Sequence, residues 1–310
     1  MRSLVVMLLS VVLLCPAAGW GQGSMTSSSN FEGAFAPIGV GARGLGMGGA
    51  FLVLADDASS TYWNPAGLGY LTQREVTFMY ANLYEVINNG YVAYALPDAG
   101  TGASGLSWVA LGSSELTDAN QNEKSWLENT LSYSYARRLN DYVSAGITGK
   151  FLLVNSDLTD GNATGFGVDG GISVWPDQRF GLGMMLRDIF TQVNWDKNKE
   201  KQRSPFKYAV GIAFVPLNFL RTEIDLSGSE EEVIKRVTGG GELGLPLRGL
   251  EDVFMMRFGL SRVVDVDKRF IYSAGVGINI DRLKLDYAFM MDNDSDLGNA
   301  HRISLSAVLP

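Results

Sequence analysis

Hydrophobic and polar residues alternate over most of the chain. In 143–153, Ile147 and Phe151 fall on one face, whereas Ser144 and Lys150 fall on the other. Period-two alternation predicts β-strands with one apolar and one polar face. The same pattern predicts fourteen strands, near residues 75–84, 90–96, 103–112, 129–137, 142–154, 164–174, 180–188, 206–215, 220–227, 239–245, 253–263, 269–280, 283–291 and 301–309.

A soluble β-sandwich also alternates, so the lengths of the connections distinguish the two architectures. After odd-numbered strands the connections are long and polar, and include 113–128, 155–163, 189–205, 228–238 and 292–300. After even-numbered strands they are short, and include 97–102, 138–141, 175–179, 216–219 and 281–282. Long loops at one end, tight turns at the other and an even strand number are typical of outer-membrane barrels. We therefore predict an all-β fold, a transmembrane antiparallel β-barrel of about 14 strands.

The first 21 residues have the pattern of a secretory signal peptide. A positive charge precedes an apolar run at 4–14, which is shorter than the about 20 residues that span a bilayer, and small residues follow. Cys15 would be removed with this segment, and Leu14 stands where a lipoprotein signal has a small residue. We expect 1–21 to be cleaved and the mature chain to be integral to the bacterial outer membrane.

Charge and glycine content refine this prediction. The formal net charge of −8 leaves no basic stripe for phosphates, so no nucleic-acid partner is expected. The 37 glycines exceed average usage, which is about 7%. Glycine weakens a strand but is tolerated where another backbone comes close. The excess therefore indicates a segment packed against the barrel wall.

That segment is predicted from the block 41–68, which reads GARGLGMGGAFLVLADDASSTYWNPAGL. We expect 22–72 to form an N-terminal hatch, or plug, in the lumen and 73–310 to form the barrel. A buried arginine needs a carboxylate partner, so we expect Arg43 to pair with its two acidic neighbours along the block, Asp56 and Asp57. Such pairs could be a structural lock or a ligand gate, and the sequence leaves both open.

The end of the block carries the other hatch candidates. Proline fixes φ and asparagine favours a turn, so Asn64 and Pro65 predict a rigid turn. Trp63 is interpreted as a packing anchor, with ligand contact as the alternative. The glycines do not form a phosphate-binding loop, because the Gly-Lys-Ser/Thr ending is missing.

This block resembles the N-terminal signature of the PorV/PorQ family, within the FadL-like superfamily of outer-membrane barrels. The resemblance rests on Gly-Ala-Arg at 41–43, Gly-Met-Gly-Gly-Ala at 46–50, the acids at 56–57 and Trp-Asn-Pro-Ala-Gly-Leu at 63–68. It implies a 14-stranded barrel with its N-terminal segment folded into the lumen. The chain departs from such barrels at its end, Val308-Leu309-Pro310, where an aromatic residue is common.

Catalysis and metal binding are not expected. His301 is the single histidine, and Ser304, three residues along the same predicted strand, should face the opposite way, which prevents a Ser–His–acid arrangement. One histidine and no retained cysteine make a zinc site implausible. The acidic loop 292–296 lacks the glycine and the distal glutamate of a calcium loop. No enzyme activity, cofactor or metal is therefore predicted.

Two functions remain open for a monomeric barrel in contact with outer-membrane lipids. One is the binding or passage of a hydrophobic small molecule, as the FadL resemblance implies. The other is a scaffold for secreted-protein cargo in a type IX-like secretion system, as the PorV resemblance implies. Apolar anchors in the predicted long loops could serve either function: Trp126, Phe190 and Trp195.

Overall fold

The structure, a computed structural model, describes residues 38–83, 86–100, 102–117, 123–157, 161–197, 201–230, 232–247, 250–264, 269–293 and 299–310. The predicted signal peptide lies outside these residues. The first elements are two short α-helices and a 3₁₀ helix: α1 (Ala42–Gly46), α2 (Ser60–Trp63) and the 3₁₀ helix (Pro65–Tyr70). Among the described residues, no helix is long and apolar enough to cross a membrane.

The rest of the described chain is β-structure. The strands are β1 (Arg74–Leu83), β2 (Ile87–Pro97), β3 (Gly102–Thr117), β4 (Glu123–Arg138), β5 (Val143–Ser156), β6 (Ala163–Val174), β7 (Phe180–Trp195), β8 (Lys201–Arg203), β9 (Lys207–Leu217), β10 (Leu220–Ser229), β11 (Arg236–Leu247), β12 (Leu250–Val263), β13 (Phe270–Ile280), β14 (Leu283–Asp292) and β15 (Asn299–Leu309).

Fourteen of these strands close into an antiparallel barrel. Each strand from β1 to β7 pairs with the next, β7 pairs with β9, and the order continues to β15, which pairs with β1. In the described part of the chain, the short β8 pairs only with the C-terminal end of β7. The prediction of an all-β barrel of 14 strands is confirmed, and β8 is an addition to it.

The two faces of the wall carry opposite kinds of side chain. On β5, Ile147 and Phe151 point outwards and are about half exposed, whereas Ser144 and Thr148 are buried inside the barrel. The same division holds on β1, where Phe78 is exposed on the outer face. An apolar exterior and a polar interior reverse the arrangement of a soluble protein and suit a barrel surrounded by lipid.

The predicted loop ranges need correction at two places. Residues 113–128 and 189–205 were expected to be long loops, but β3 and β4 extend into the first and β7 and β8 occupy much of the second. Antiparallel pairing continues there because each extended strand finds a partner, as in the β4–β5 ladder that reaches Trp126. Short connections still join the strands at the opposite end, as at 218–219 and 281–282.

Candidate functional site

The interior of the barrel is filled by residues 38–72, called here the luminal segment. Nearly all of its residues between 39 and 69 are buried, and they contact inward-facing groups on strands all around the wall. Wall glycines make this possible: a Cβ at Gly240 would overlap the Met47 carbonyl, and one at Gly171 would overlap the Asn64 side chain. The close approach predicted from the glycine content is therefore present.

Glycines within the luminal segment shape the turns around α1. Gly41, which precedes the helix, has φ of 75°, and Gly48 and Gly49, which follow it, have φ of 72° and 87°. A side chain is disfavoured at such angles, whereas glycine adopts them readily. These turns place α1 against β12–β15.

Arg43 is the centre of an ion-pair network between the luminal segment and the wall. Its Nη1 donates to Asp56 at 2.5 Å and to Asp57 at 2.9 Å, so both pairs expected from the sequence are present. Its Nε and Nη2 also donate to the two carboxylate oxygens of Glu242 on β11, at 3.0 and 3.1 Å. This bidentate pair fixes the segment to the barrel.

The network continues along the inner wall. The Glu242 carboxylate also accepts from Nε of Arg257 at 2.8 Å, and Nη1 of Arg257 donates to Asp286 at 2.7 Å. All three side chains are at most 6% exposed. Charges buried to this extent are stable only when paired and hydrogen-bonded. Arg43 thus completes a chain of charges that crosses β11, β12 and β14.

The ionisation of the luminal segment reflects this pairing. Burial opposes ionisation of Asp57, but the Arg43 guanidinium and the Ser59 hydroxyl hold the pKa of Asp57 below its usual value. Burial likewise opposes the charge on Arg43, but Asp56, Glu242 and Asp57 hold the pKa of the guanidinium above its ordinary value. Both groups are therefore charged at neutral pH.

A second wall contact holds the extended stretch after α1. The Glu223 carboxylate on β10 accepts from the backbone N–H groups of Val53 and Leu54, at 2.7 and 2.8 Å. Asp225, two residues along the same strand, accepts from Phe51 and Leu52 at 3.1 and 3.3 Å. Four consecutive N–H groups therefore bind two inward-facing carboxylates.

The Trp-Asn-Pro element connects parts of the luminal segment with one another and with the wall. Trp63 packs edge-on against Phe51, with ring centroids 6.1 Å apart, and its Nε1 donates to the Val40 carbonyl. Asn64 is fully buried and donates to the Leu52 carbonyl at 3.0 Å and, more weakly, to a carbonyl on β6. Its Oδ1 caps the 3₁₀ helix, whose first residue is Pro65.

A cavity of about 90 Å³ lies between the luminal segment and strands β2–β7 and β9. One part of its lining is apolar and includes Leu111 and Leu152. At the β6–β7 side, Lys150 binds Asp169 at 2.7 Å and Asp188 at 2.6 Å. The β6–β7 register shifts there, and Asp188 has a φ of 56°. Small-molecule sites typically have about 300–1,000 Å³, so this cavity admits only a small ligand.

The three aromatic anchors predicted for loops lie on strands instead. Trp126 on β4 is partly buried and packs against inward-facing apolar residues of the wall. Trp195 ends β7, is 6% exposed and donates through Nε1 to Gln202 on β8. Phe190, also on β7, is 54% exposed on the outer face and lies beside Phe166. These loop placements were wrong because β4 and β7 extend beyond their predicted ends.

The residues considered for catalysis are separated by the wall. His301 is exposed on the outer face, with its Nδ1 2.7 Å from the Tyr287 hydroxyl. Ser304 is buried inside and accepts from the backbone N–H of Ala42 at 2.7 Å. The opposite orientations expected from alternation are present. In the described part of the chain, no cluster of His, Cys, Asp and Glu could hold a metal ion; 294–296 of the acidic loop lie outside it.

Sequence reasoning missed the wall side of the site. Glu223, Asp225, Glu242 and Arg257 were not singled out, although each binds the luminal segment or its partners. A signal was present, because each of these charges occupies a polar-face position inside a predicted strand. Long charged side chains on the inner face of a narrow barrel need partners, and the luminal segment supplies them.

Known structures share this architecture. The CymD monoaromatic hydrocarbon channel superposes with a TM-score of 0.69 at 11% identity, covering 89% of this chain and 99% of that chain. A FadL homologue of Pseudomonas aeruginosa gives 0.59 at 14% identity, covering 86% and 97%. The Ralstonia pickettii toluene transporter TbuX gives 0.59 at 12% identity, covering 89% and 100%. No protein-family model and no curated protein matches the sequence. The chain therefore has a FadL-like barrel fold.

Proposed function

We propose that this protein is an integral, monomeric barrel of the bacterial outer membrane that binds or passes small hydrophobic molecules. The observation that carries the proposal is a closed barrel with an apolar exterior and a lumen filled by an ion-paired N-terminal segment. Similar folds include proteins described as a monoaromatic hydrocarbon channel and as toluene transporters. In this proposal, 1–21 is a cleaved signal peptide and 22–72 is a hatch.

The hatch residues have separate roles in this proposal. Arg43, with Asp56 and Asp57, forms the releasable lock, because ion pairs can re-form when the segment returns. Asn64 and Pro65 keep the end of the segment rigid through the 3₁₀ cap and a restricted φ. Opening would enlarge the cavity beside the segment, which in the closed state is smaller than the about 150 Å³ cavity reported to hold benzene.

The secretion-scaffold function and PorV/PorQ membership remain predictions from the sequence. Two of the three aromatic anchors on which partner contact was expected, Trp126 and Trp195, are partly or largely buried. Phe190 is exposed, but it lies on the apolar outer face of β7, where lipid contact accounts for it. No contact among the described residues favours a protein partner over lipid.

Uptake of radiolabelled toluene by cells that express the barrel tests the proposal. Leu152 lines the cavity and is 2% exposed, so Leu152→Trp should fill the cavity and slow uptake. Leu131→Trp makes the same change on the outer face, where the leucine is 47% exposed, and should leave uptake unchanged. Equal uptake with and without the barrel, at equal surface expression, would contradict hydrophobic passage.

Native mass spectrometry of the barrel, purified gently from its own membrane, separates the two functions. An adduct with the mass of an uncharged apolar molecule, which Leu152→Trp removes, supports hydrophobic binding. A protein adduct without a small ligand supports the scaffold function instead. Heat-modifiable migration on gels checks that each variant is a folded barrel.

A further inference from the structure

Glu128 is an acidic side chain buried in the luminal cavity. It lies on the inner face of β4, is 2% exposed and lines the cavity beside the luminal segment. Neither of its carboxylate oxygens makes a hydrogen bond to a described residue. The indole of Trp126 lies two residues earlier on the same strand. A buried carboxylate without a partner is costly, so this group calls for a ligand.

A second acceptor without a partner faces the same cavity. Asn89 on β2 is 1% exposed, and its Oδ1 has no hydrogen-bond partner among the described residues. Asn89 is opposite Leu111 on β3, and Leu111 is opposite Glu128 on β4. The two polar residues are therefore at one height of the wall, about 10 Å apart at Cα because two strand spacings separate them.

The cations that line the cavity do not neutralise Glu128. Lys150 binds Asp169 and Asp188, Lys207 pairs with Asp188 at 4.0 Å, and Arg187 donates to the Tyr62 carbonyl at 2.8 Å. Lys150 is also distant, because the β5 partner of Glu128 is Val154, four residues or about 13 Å along the strand. The cavity is thus acidic at its Glu128 end and ion-paired at the other.

We propose that the Glu128 end of the cavity binds a small primary alkylammonium ion. A primary ammonium carries three N–H donors and one positive charge, which matches the three unpartnered oxygens of Glu128 and Asn89 and the single carboxylate. Leu111 and Leu152 provide an apolar surface for a short alkyl group. A metal ion would require more ligands, and no suitable cluster exists among the described residues.

The size and accessibility of the cavity limit the ligand. Its volume of about 90 Å³ corresponds to about three water molecules at about 30 Å³ each, which suits a cation of a few heavy atoms. The cavity is partly open. This binding does not depend on hydrophobic passage, because the site would bind the cation even in a barrel that transports nothing.

Isothermal titration of the purified full-length barrel with ethylammonium chloride at constant ionic strength tests the inference. We expect saturable binding that Glu128→Gln weakens at least tenfold, because the amide loses the charge and one acceptor. Asp141→Asn, the same change at an exposed turn residue, should alter the affinity less than twofold. No saturable binding to the wild-type barrel, or equal affinity of Glu128→Gln, would overturn the proposal.

Competition separates an ammonium site from a site for any cation. Potassium supplies charge without N–H donors, so it should displace ethylammonium at least tenfold less well than methylammonium does. Equal competition by potassium would also overturn the proposal. If Glu128→Gln does not give a heat-modifiable barrel, Asn89→Leu replaces it: loss of one acceptor should weaken binding at least threefold, and unchanged affinity would contradict the site.

Discussion

Replacement of Arg43 by methionine should release the luminal segment from the wall. Methionine keeps an apolar stem over the Phe51 ring, where the guanidinium lies 4.9 Å from the centroid, and removes the charge. Glu242 would still be paired with Arg257, but Asp57 would lose its only arginine among the described residues. The perturbation is therefore confined to the lock.

The free energy lost on replacing Arg43 can be worked out from how deeply its carboxylate partners are buried. Asp56 is 44% exposed, so its pair contributes at most about 1 kcal/mol. The Arg43, Asp57 and Glu242 side chains are 15%, 10% and 5% exposed, and removing one partner of a buried pair typically costs about 3–5 kcal/mol. A loss of about 1.4 kcal/mol changes an equilibrium constant tenfold. Local opening of the luminal segment should therefore become at least about 100-fold more frequent.

Hydrogen exchange of the detergent-solubilised barrel measures this opening. Amides at 51–54, which bind carboxylates on β10, should exchange about 100-fold faster in Arg43→Met, whereas strand amides should not change. Arg221→Met is the matched control, because Arg221 contacts Asp56 at 3.2 Å but is 36% exposed. Arg221→Met should change the free energy of opening by less than about 1 kcal/mol. Unchanged exchange in Arg43→Met would refute the lock.

The pH dependence of the protection factors, which are exchange rates corrected for the intrinsic rate at each pH, should have opposite signs in wild type and variant. Arg43 lowers the pKa of Asp57, so in the wild type this pair stabilises the closed segment above about pH 3.8 and the stabilisation is lost as pH falls further. Without Arg43, burial raises the pKa of Asp57, opposed by the Ser59 hydroxyl and by Lys284. Acidification from pH 7 towards pH 4 should then neutralise Asp57 and raise the protection factors of amides 51–54 in Arg43→Met.

Three further substitutions test other contacts. Asn64→Ala removes the 3₁₀ cap and the hydrogen bond to the Leu52 carbonyl. It should lower the free energy of opening of the luminal segment by about 1–3 kcal/mol and so accelerate amide exchange there. Gly240→Val places side-chain atoms on the Met47 carbonyl and should raise conductance in planar bilayers, whereas Gly149→Val, with no atom within 4 Å of its Cβ position, should not. Lys150→Met removes the ion pair of buried Asp169 and the shorter of the two ion pairs of Asp188, and should lower the temperature of the heat-modifiable transition.

The barrel was predictable because the alternation of apolar and polar residues can be read from each strand by itself. Alternation at positions such as Ser144 and Ile147 records which face meets the lumen, and closure follows once an even number of strands is counted. The ends of β3, β4 and β7 were not predictable from the same rule. In the extended ends of these strands polar residues occur on both faces, as Thr191 and Gln192 do on β7, so alternation there does not distinguish a strand from a loop.

The candidate site was predictable only on the side of the luminal segment. Arg43, Asp56 and Asp57 are close in sequence and could be paired by charge alone. Their wall partner Glu242 is separated from Arg43 by 199 residues, and its position depends on which of fourteen strands lies opposite α1. That choice is made by steric fit, through wall glycines such as Gly259 that let the segment approach, and no local pattern encodes it.

Because the luminal segment fills the barrel, any passage of apolar solutes depends on the Arg43 ion pairs that hold the segment in place. A cavity of about 90 Å³ is smaller than the about 150 Å³ that accommodates benzene, so a monoaromatic solute cannot cross beside a closed segment. Passage would require movement of residues 38–72, and the rate of that movement depends on the ion pairs of Arg43. Variants that weaken the lock should therefore increase toluene uptake in the same order in which they accelerate exchange. Faster exchange without faster uptake would show that the segment is a structural plug rather than a gate.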